Sequence, residues 1–194
     1  MKFTKIPVDT FQKLQINAGI ITTEFTPATG TIGEAGQIGA TTGGISFTAT
    51  PTYTDFGEDI DNCPKNMKEL KRLESWEAKM SGTFINADTK IAKSLCGAAD
   101  VATSDGKITP RNELADGDFD DIWLVGDYSD KNGEKNGGFI AIHMMNALST
   151  GGFQLKTGDK AKGQFAFEYM AHYSMAEQNK VPFEIYIKSG TAEG

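Results

Sequence analysis

Cysteine and histidine are scarce in this chain, and long apolar runs are missing. The 194 residues include two cysteines and two histidines. Two cysteines in a chain of this size do not indicate a disulfide scaffold, so Cys63 and Cys96 are predicted to be free thiols. No apolar run reaches the length that spans a bilayer, and the first residues lack the apolar core of a secretory signal. We therefore expect synthesis in a cytoplasm and no membrane partner.

Basic residues are also in deficit. The chain has 19 Lys and Arg against 26 Asp and Glu, a formal net charge of -7. General nucleic-acid binding depends on Lys and Arg that neutralise phosphates, so this balance argues against such a function. A hydrophobic content of 39% and a charged content of 23% are typical of an ordinary soluble globular protein. The length favours a single domain over residues 1–194.

Catalytic and metal-binding motifs are missing as well. There is no nucleophile elbow, no Gly-rich phosphate loop and no pair of metal-binding histidines. His143 and His172 fall within strand patterns without a neighbouring nucleophile motif, and the cysteines and histidines lack the close paired spacing of structural zinc. The acidic run at 116–121 resembles the start of an EF-hand loop, but Asp121 stands where that loop requires glycine. We expect no enzymatic activity, no metal and no cofactor.

What the chain does contain is period-two alternation, the pattern of strands with one apolar face. It is clearest in two arms between positions 43 and 86, whose apolar members are predicted to face the core: Ile45, Phe47, Trp76, Met80 and Phe84. Further strand patterns lie at 139–145, 153–156, 164–173 and 182–188. A helix is predicted at 88–96 with Asp88 as its N-cap, and a shorter one at 7–14. The pattern predicts a mostly β (α+β) fold, a β-sandwich or barrel with one flanking helix.

The two arms are joined by an unusually long connection, predicted at 50–70. Antiparallel neighbours are normally joined by two to five residues, and much longer loops are usually functional or disordered. Aromatic and charged residues on this loop are typical of an interface rim with anchors: Tyr53, Asp55, Phe56, Glu58, Asp59, Asp61, Lys65 and Lys68. The Gly-rich segment at 27–44 is a second candidate assembly arm. The alternative interpretation is a mobile surface loop. A hydrophilic hairpin tip is predicted at 129–138.

Three stretches resemble the major tail (tail tube) proteins of long-tailed bacteriophages: GGISFTATPTYTDFGEDIDNCPKNMKELKRLESWEAKMSGTFI with the helix after it, FQLKTGDKAKGQFAFEYMAHY, and PFEIYIK. The resemblance is strongest to flexible, non-contractile tails, and contractile tails and type VI secretion systems share the same inner-tube fold. It implies a structural virion protein with a β-sandwich-like tube fold. Six subunits form a ring whose inner strands join into one barrel, and stacked rings form the hollow tube through which phage DNA is delivered.

The resemblance also implies partners and surfaces. The partners are other copies of the chain, the tail tip or baseplate initiator, the tape measure and terminator proteins, and phage DNA in transit without specific binding. Assembly takes place in the host cytoplasm, and the loop at 50–70 bridges stacked rings. The polar alternate positions of the two arms become lumen-facing candidates: Ser46, Thr48, Thr50, Glu77, Lys79, Ser81 and Thr83. Among these, Lys79 would attract phosphate unless Glu77 neutralises it.

A second interpretation is a carbohydrate- or receptor-binding β-sandwich module. In that case Trp76, Trp123 and exposed tyrosines would form a platform for sugar rings.

Overall fold

Strands account for most of the regular structure. The computed structural model describes residues 5–129 and 137–191. Within that part, the mostly β class with a single α-helix is confirmed. The elements in chain order are β1 (Ile20–Thr22), β2 (Phe25–Thr26), β3 (Thr31–Ile32), β4 (Gln37–Gly39), β5 (Thr41–Asp55), β6 (Lys71–Phe84), α1 (Thr89–Cys96), β7 (Ala99–Val101), β8 (Ile108–Pro110), β9 (Asp120–Tyr128), β10 (Gly138–Ser149), β11 (Gln154–Lys156), β12 (Gln164–Met170) and β13 (Phe183–Lys188).

One long strand, β10, connects two layers of sheet. Its first part pairs with β9 and β13, and its last residues, Leu148 and Ser149, pair with β12. The first layer therefore has the strand order β4-β1-β9-β10-β13, and the second has β5-β6-β12-β11. All of these pairings are antiparallel. The nine-stranded sheet is in this way folded over on itself.

The main core lies between the two layers. It combines Ile122 and Met144 of the first layer with Met80 and Phe84 of the second. Of the residues predicted to face the core, Met80 and Phe84 are fully buried, and Ile45, Phe47 and Trp76 are half-buried. The rings of Phe47 and Trp76 both pack on Phe183, with centroid distances of 5.8 and 5.5 Å. Period-two alternation thus identified the buried face of β5 and β6 correctly.

A smaller core covers the other face of the first layer. The β2–β3 hairpin places Phe25 against Trp123 and Phe139, with ring centroids 5.4 and 5.1 Å apart. Ile32 from β3 packs on the same cluster. The first layer is therefore covered on both faces, whereas the second layer is covered on one.

The helix α1 closes one end of the main core. It begins as predicted, since the Asp88 carboxylate accepts a 2.7 Å hydrogen bond from the Ile91 amide. Ile91 and Leu95 are buried, and Gly97 ends the helix with a φ of +74° that favours glycine. The Ser94 hydroxyl lies 2.9 Å from the hydroxyl of Tyr169, which ties the helix to β12.

An ion pair between partly exposed Arg111 and buried Asp118 fixes the loops beyond the helix. The Arg111 guanidinium contacts both carboxylate oxygens of Asp118 at 2.6 and 2.7 Å, and the Ala115 amide donates to the same carboxylate at 2.8 Å. These bonds, led by the one from Ala115, hold the pKa of Asp118 below its usual range despite burial. The β7–β8 hairpin is thereby attached to the loop that precedes β9.

The amino-terminal segment differs from the sequence prediction. Only a short 3-10 turn, Phe11–Lys13, forms where a helix was predicted at 7–14. Val8 and Phe11 are exposed, so the segment has no apolar surface to dock on, and a helix this short needs one. The predicted hairpin tip at 129–138 falls largely outside the described residues. Cys63 and Cys96 are free thiols and both are half-buried. Among the helices of the described part, none is long and apolar enough to cross a membrane.

Candidate assembly surface

The lumen-facing candidates lie together on the outer face of the second layer, which we call the polar face. Ser46, Thr48 and Thr50 of β5 stand directly opposite Ser81, Lys79 and Glu77 of β6. Thr83 follows on β6, opposite Ala166 of β12. These side chains are exposed or half-buried, whereas the alternating Ala78 and Met80 point into the core and are fully buried. The strict alternation of both arms is what gives this layer one polar and one apolar side.

Around Lys79, the polar face carries two carboxylates and one ammonium. The Lys79 ammonium lies 2.8 Å from the Glu77 carboxylate, and Glu168 of β12 contributes a second carboxylate nearby. The hydrogen bond that Lys79 donates to Glu77, together with the charges of Glu77 and Glu168, raises the pKa of Lys79. The pair is exposed, so it adds little stability, but it neutralises the basic group that would otherwise attract phosphate.

The long connection is shorter than the predicted 50–70. The strand β5 continues to Asp55 and β6 begins at Lys71, so the connection covers 56–70. Tyr53 and Asp55 consequently belong to a strand and not to the loop. The amide of Phe56 donates to the Leu70 carbonyl at 3.0 Å, which continues the ladder across the first residue of the connection. At 50–54, threonine alternates with other residues and Pro51 lies near the middle. This pattern did not indicate that the strand continued.

The connection is folded around the Asp55 carboxylate. One oxygen accepts the Gly57 amide at 2.9 Å and the other accepts the Asn66 amide at 2.8 Å. These two bonds, the larger one from Gly57, lower the pKa of Asp55. Asn66 has a φ of +62°, and Lys71 donates to its side chain at 3.1 Å. Asp55 was predicted to lie on the loop between rings, and in the structure its carboxylate accepts hydrogen bonds from its own chain.

The end of this hairpin presents an unusual number of exposed apolar side chains. Tyr53 is 51% exposed, Phe56 55% and Ile60 51%. The charged candidates of the connection are exposed around them: Glu58, Asp59, Asp61, Lys65 and Lys68. Single exposed apolar residues are ordinary, but several together with charges of both signs are typical of an interaction surface.

The segment at 27–44 is not an extended arm. Gln37–Gly39 forms β4 and pairs with β1 of the same chain, and β5 begins at Thr41. Gly39 also lies close to Ile91 and Phe84, where an added Cβ would approach both side chains to about 3.0 and 3.1 Å. The second half of this range therefore belongs to the sheet and the core, and an assembly role for the segment stays a prediction.

The tryptophans and histidines form internal contacts. Trp123 is 8% exposed and stacks on His143 with ring centroids 3.9 Å apart and planes 3° apart. His143 Nε2 lies 3.1 Å from Asp121, and His172 Nδ1 lies 3.1 Å from the Asn146 carbonyl. No group of three metal-ligating side chains occurs in the described residues. This arrangement leaves Trp123 without an open ring face for a sugar.

The short strand β11 forms within the strand predicted at 153–156. Phe153 and Leu155 are 46% and 51% exposed, although Phe165 of the adjacent strand lies against Phe153. The sequence pattern predicted the strand but not that its apolar side chains are exposed. Ile185 and Ile187 of β13, on the strand predicted at 182–188, are likewise 52% and 59% exposed.

No protein-family model matches this chain, and no curated protein matches it either. The geometry of the polar face, the hairpin end and the strand edges is therefore the basis for any functional conclusion.

Proposed function

We propose that the chain is a structural, self-assembling subunit of a phage tail tube. In this proposal, six copies form a ring in which the polar faces line a lumen, and rings stack into a tube that conducts DNA. The subunit then has no enzymatic activity and belongs to the virion.

The observation that carries the proposal is the asymmetry of the second layer. One of its faces is buried in the core, the other is polar and exposed, and its outermost strands, β5 and β11, each pair on one side only within the described residues. A sheet with such edges is completed by further strands, and closure into a barrel removes the edges altogether. A barrel closed in this way would have the polar face inside.

The charge of the polar face supports a conduit for DNA. Two carboxylates, Glu77 and Glu168, face one ammonium, Lys79. Lys156 of β11 lies on the same face and balances the second carboxylate. A lumen without an excess of positive charge does not hold phosphates, so DNA would pass through it without being bound.

The hairpin end supports contacts between stacked rings. It extends β5 and β6 beyond the layer and presents exposed Phe56 and Ile60 among charged residues. Because the connection is folded around Asp55, it offers a defined surface and loses little conformational freedom on docking.

Electron microscopy of the purified protein over a range of concentrations tests the proposal. We expect rings or tubes, with the hairpin end between rings. A matched variant in which Phe56 and Ile60 are both changed to Ser should still form single rings, because the sheet edges are intact, but should not stack them. A protein that remains monomeric at all concentrations, and that binds glycans, would support the receptor-binding alternative instead.

A further inference from the structure

The second layer ends in strands whose outer backbone groups have no partner among the described residues. β5 pairs with β6 alone, and β11 pairs with β12 alone. Such edges are templates for pairing with another chain. We propose that the β5 edge of one subunit pairs with the β11 edge of the next, antiparallel, with Leu155 opposite Phe47. This inference rests on the proposed function, because it specifies how neighbouring copies meet.

The hydrogen bonds of β6 identify which residues of β5 point outward. In an antiparallel strand, each residue directs its N–H and C=O to the same side, and successive residues alternate. The Ala78 carbonyl accepts from Ala171 at 3.0 Å, and the Trp76 amide donates to a tyrosine hydroxyl at 2.9 Å, both away from β5. Their partners across the ladder are Ala49 and Pro51. The backbone groups of these two residues therefore point to the free edge.

The same alternation limits where a new strand can pair. Ile45, Phe47 and Ala49 direct their backbone N–H and C=O groups outward, and Pro51 comes next in that row but has no N–H. At the other end, the glycines at 43–44 have φ values of +77° and +84°, and the register of β5 against β6 shifts between Thr41 and Ile45. The usable edge is therefore confined to 45–49.

The edge of β11 has matching features. The amides of Thr150 and Gly151 both donate to the Glu168 carbonyl, at 2.8 and 3.3 Å, so the even-numbered residues of β12 point toward β11. Gln154 and Lys156, their neighbours in the ladder, point back toward β12. The backbone groups of Leu155 therefore point outward, and a strand of three residues fits within the five residues at 45–49.

The directions of β5 and β11, and the faces on which their side chains lie, are both compatible with this joint. The layer contains four strands that alternate in direction, so β5 and β11 run in opposite directions. Rotation about a ring axis preserves these directions, and the joint is antiparallel like every other pairing in the layer. Opposite Phe47, Leu155 extends the apolar face, and Gln154 stands opposite Thr48 on the polar face. The joint would remove Leu155, which is 51% exposed in the subunit, from water.

Engineered cysteines test both the joint and its register, in a background with Cys63→Ser and Cys96→Ser. In the proposed register, Thr48 and Gln154 form a non-hydrogen-bonded pair with Cα atoms about 4.5 Å apart, within the range of a disulfide. We expect Thr48→Cys/Gln154→Cys to give a ladder of covalent oligomers under mild oxidation. Ser46→Cys and Thr50→Cys, each with Gln154→Cys, report registers shifted by two residues. Glu77→Cys/Gln154→Cys, one strand further in, is the control that should not cross-link.

A second pair of variants tests the backbone contact without cysteine. In the proposed register Ala49 stands opposite Phe153, the residue just before β11. Ala49→Pro removes the outward N–H at this end of the joint and leaves the ladder to β6 unchanged, whereas Ala49→Val keeps the N–H. Both should fold, as checked by circular dichroism, and only the proline variant should fail to form rings. The two variants therefore separate loss of the donor from a change of side chain.

The outcomes distinguish the joint from the tube. A ladder from the Thr48 pair, with weak products from the shifted pairs, supports the joint. If rings form but a shifted pair dominates, or none of the three pairs cross-links, the proposed joint is wrong while the tube proposal stands. If neither rings nor cross-links form at any concentration, the tube proposal fails and the joint fails with it.

Discussion

Replacement of Tyr169 by Phe tests which face of β12 is buried, and with it the assignment of the polar face. The Tyr169 side chain is 1% exposed, and its hydroxyl lies 2.9 Å from that of Ser94 on α1. Alternation then places Glu168 on the opposite, polar side. At neutral pH we expect Tyr169→Phe to lower the free energy of unfolding by about 1 kcal/mol, the usual net value of one hydrogen bond.

The same residue gives the protein a distinctive loss of stability at high pH. Burial raises the pKa of Tyr169 from 10.0 to about 12, while the bond from Ser94 opposes the shift. A pKa that is raised in the native state means that the unfolded chain loses the proton first, so stability is intact below pH 10 and falls above it. A shift of two units corresponds to about 2.7 kcal/mol in total, of which about 1.4 kcal/mol is lost by pH 11.

The measurement is urea unfolding of wild type and Tyr169→Phe at several values between pH 7 and pH 11. The difference between the two proteins removes the contribution of lysines and other tyrosines that titrate in the same range. We expect the difference to shrink from about 1 kcal/mol at pH 7 and to change sign near pH 11. Ser94→Ala is the control, since it loses the hydrogen bond but keeps the alkaline dependence. A difference that stays constant with pH would mean that Tyr169 is accessible and that the face assignment of β12 is incorrect.

Three further substitutions, the last with a matched control, test other parts of the structure. Asp118→Asn should lower the free energy of unfolding by about 2 kcal/mol at pH 7, because it leaves the partly exposed Arg111 without its main partner. The native pKa of this carboxyl is lowered, so the difference from wild type should fade below pH 4, where the wild-type carboxyl becomes protonated. Asp55→Ala should speed proteolysis within 56–70 with little change in thermal midpoint, because the carboxylate orders only the connection. Glu77→Lys replaces a negative charge of the polar face with a positive one and leaves Lys79 without its partner, so assembled tubes should retain a short DNA duplex at low salt and release it as salt rises. Glu58→Lys makes the same charge change on the hairpin end, and equal retention by both variants would contradict a lumen-facing Glu77.

The alternation of the sequence was sufficient to predict the faces of the long strands but not their ends. In β6, apolar Met80 and Phe84 alternate with polar Glu77 and Ser81. This period can be recognised without a structure, because each long strand is exposed to solvent on one face only. The end of β5 was missed because Pro51 lies within it, and proline argues against a central strand; here it occupies a free edge, where no N–H is needed.

The core of the first layer could not be predicted from the sequence, because its strands show no alternation. Strands covered on both faces lose their alternation, so β9 and β10 contain nearly continuous apolar runs. Such a run does not indicate which neighbouring element covers which face. The β2–β3 hairpin that covers Trp123 contributes Phe25 and Ile32 from a segment of low hydrophobicity. Contacts of this kind depend on the tertiary arrangement and not on any local pattern.

The short usable edge of β5 bears on when the subunits would assemble. Three outward-pointing residues allow only a few hydrogen bonds, each with a net value of about 1 kcal/mol, and Leu155 adds the burial of a single side chain. Association of two molecules costs roughly 4–15 kcal/mol in lost freedom of motion, so one such joint would leave the subunit monomeric. In a closed ring each subunit takes part in two joints, and the last joint forms within one assembly at no further cost of association. Pro51 and the glycines at 43–44 would thus keep the isolated chain from pairing along the whole of β5, while ring closure restores the stability that a single joint lacks.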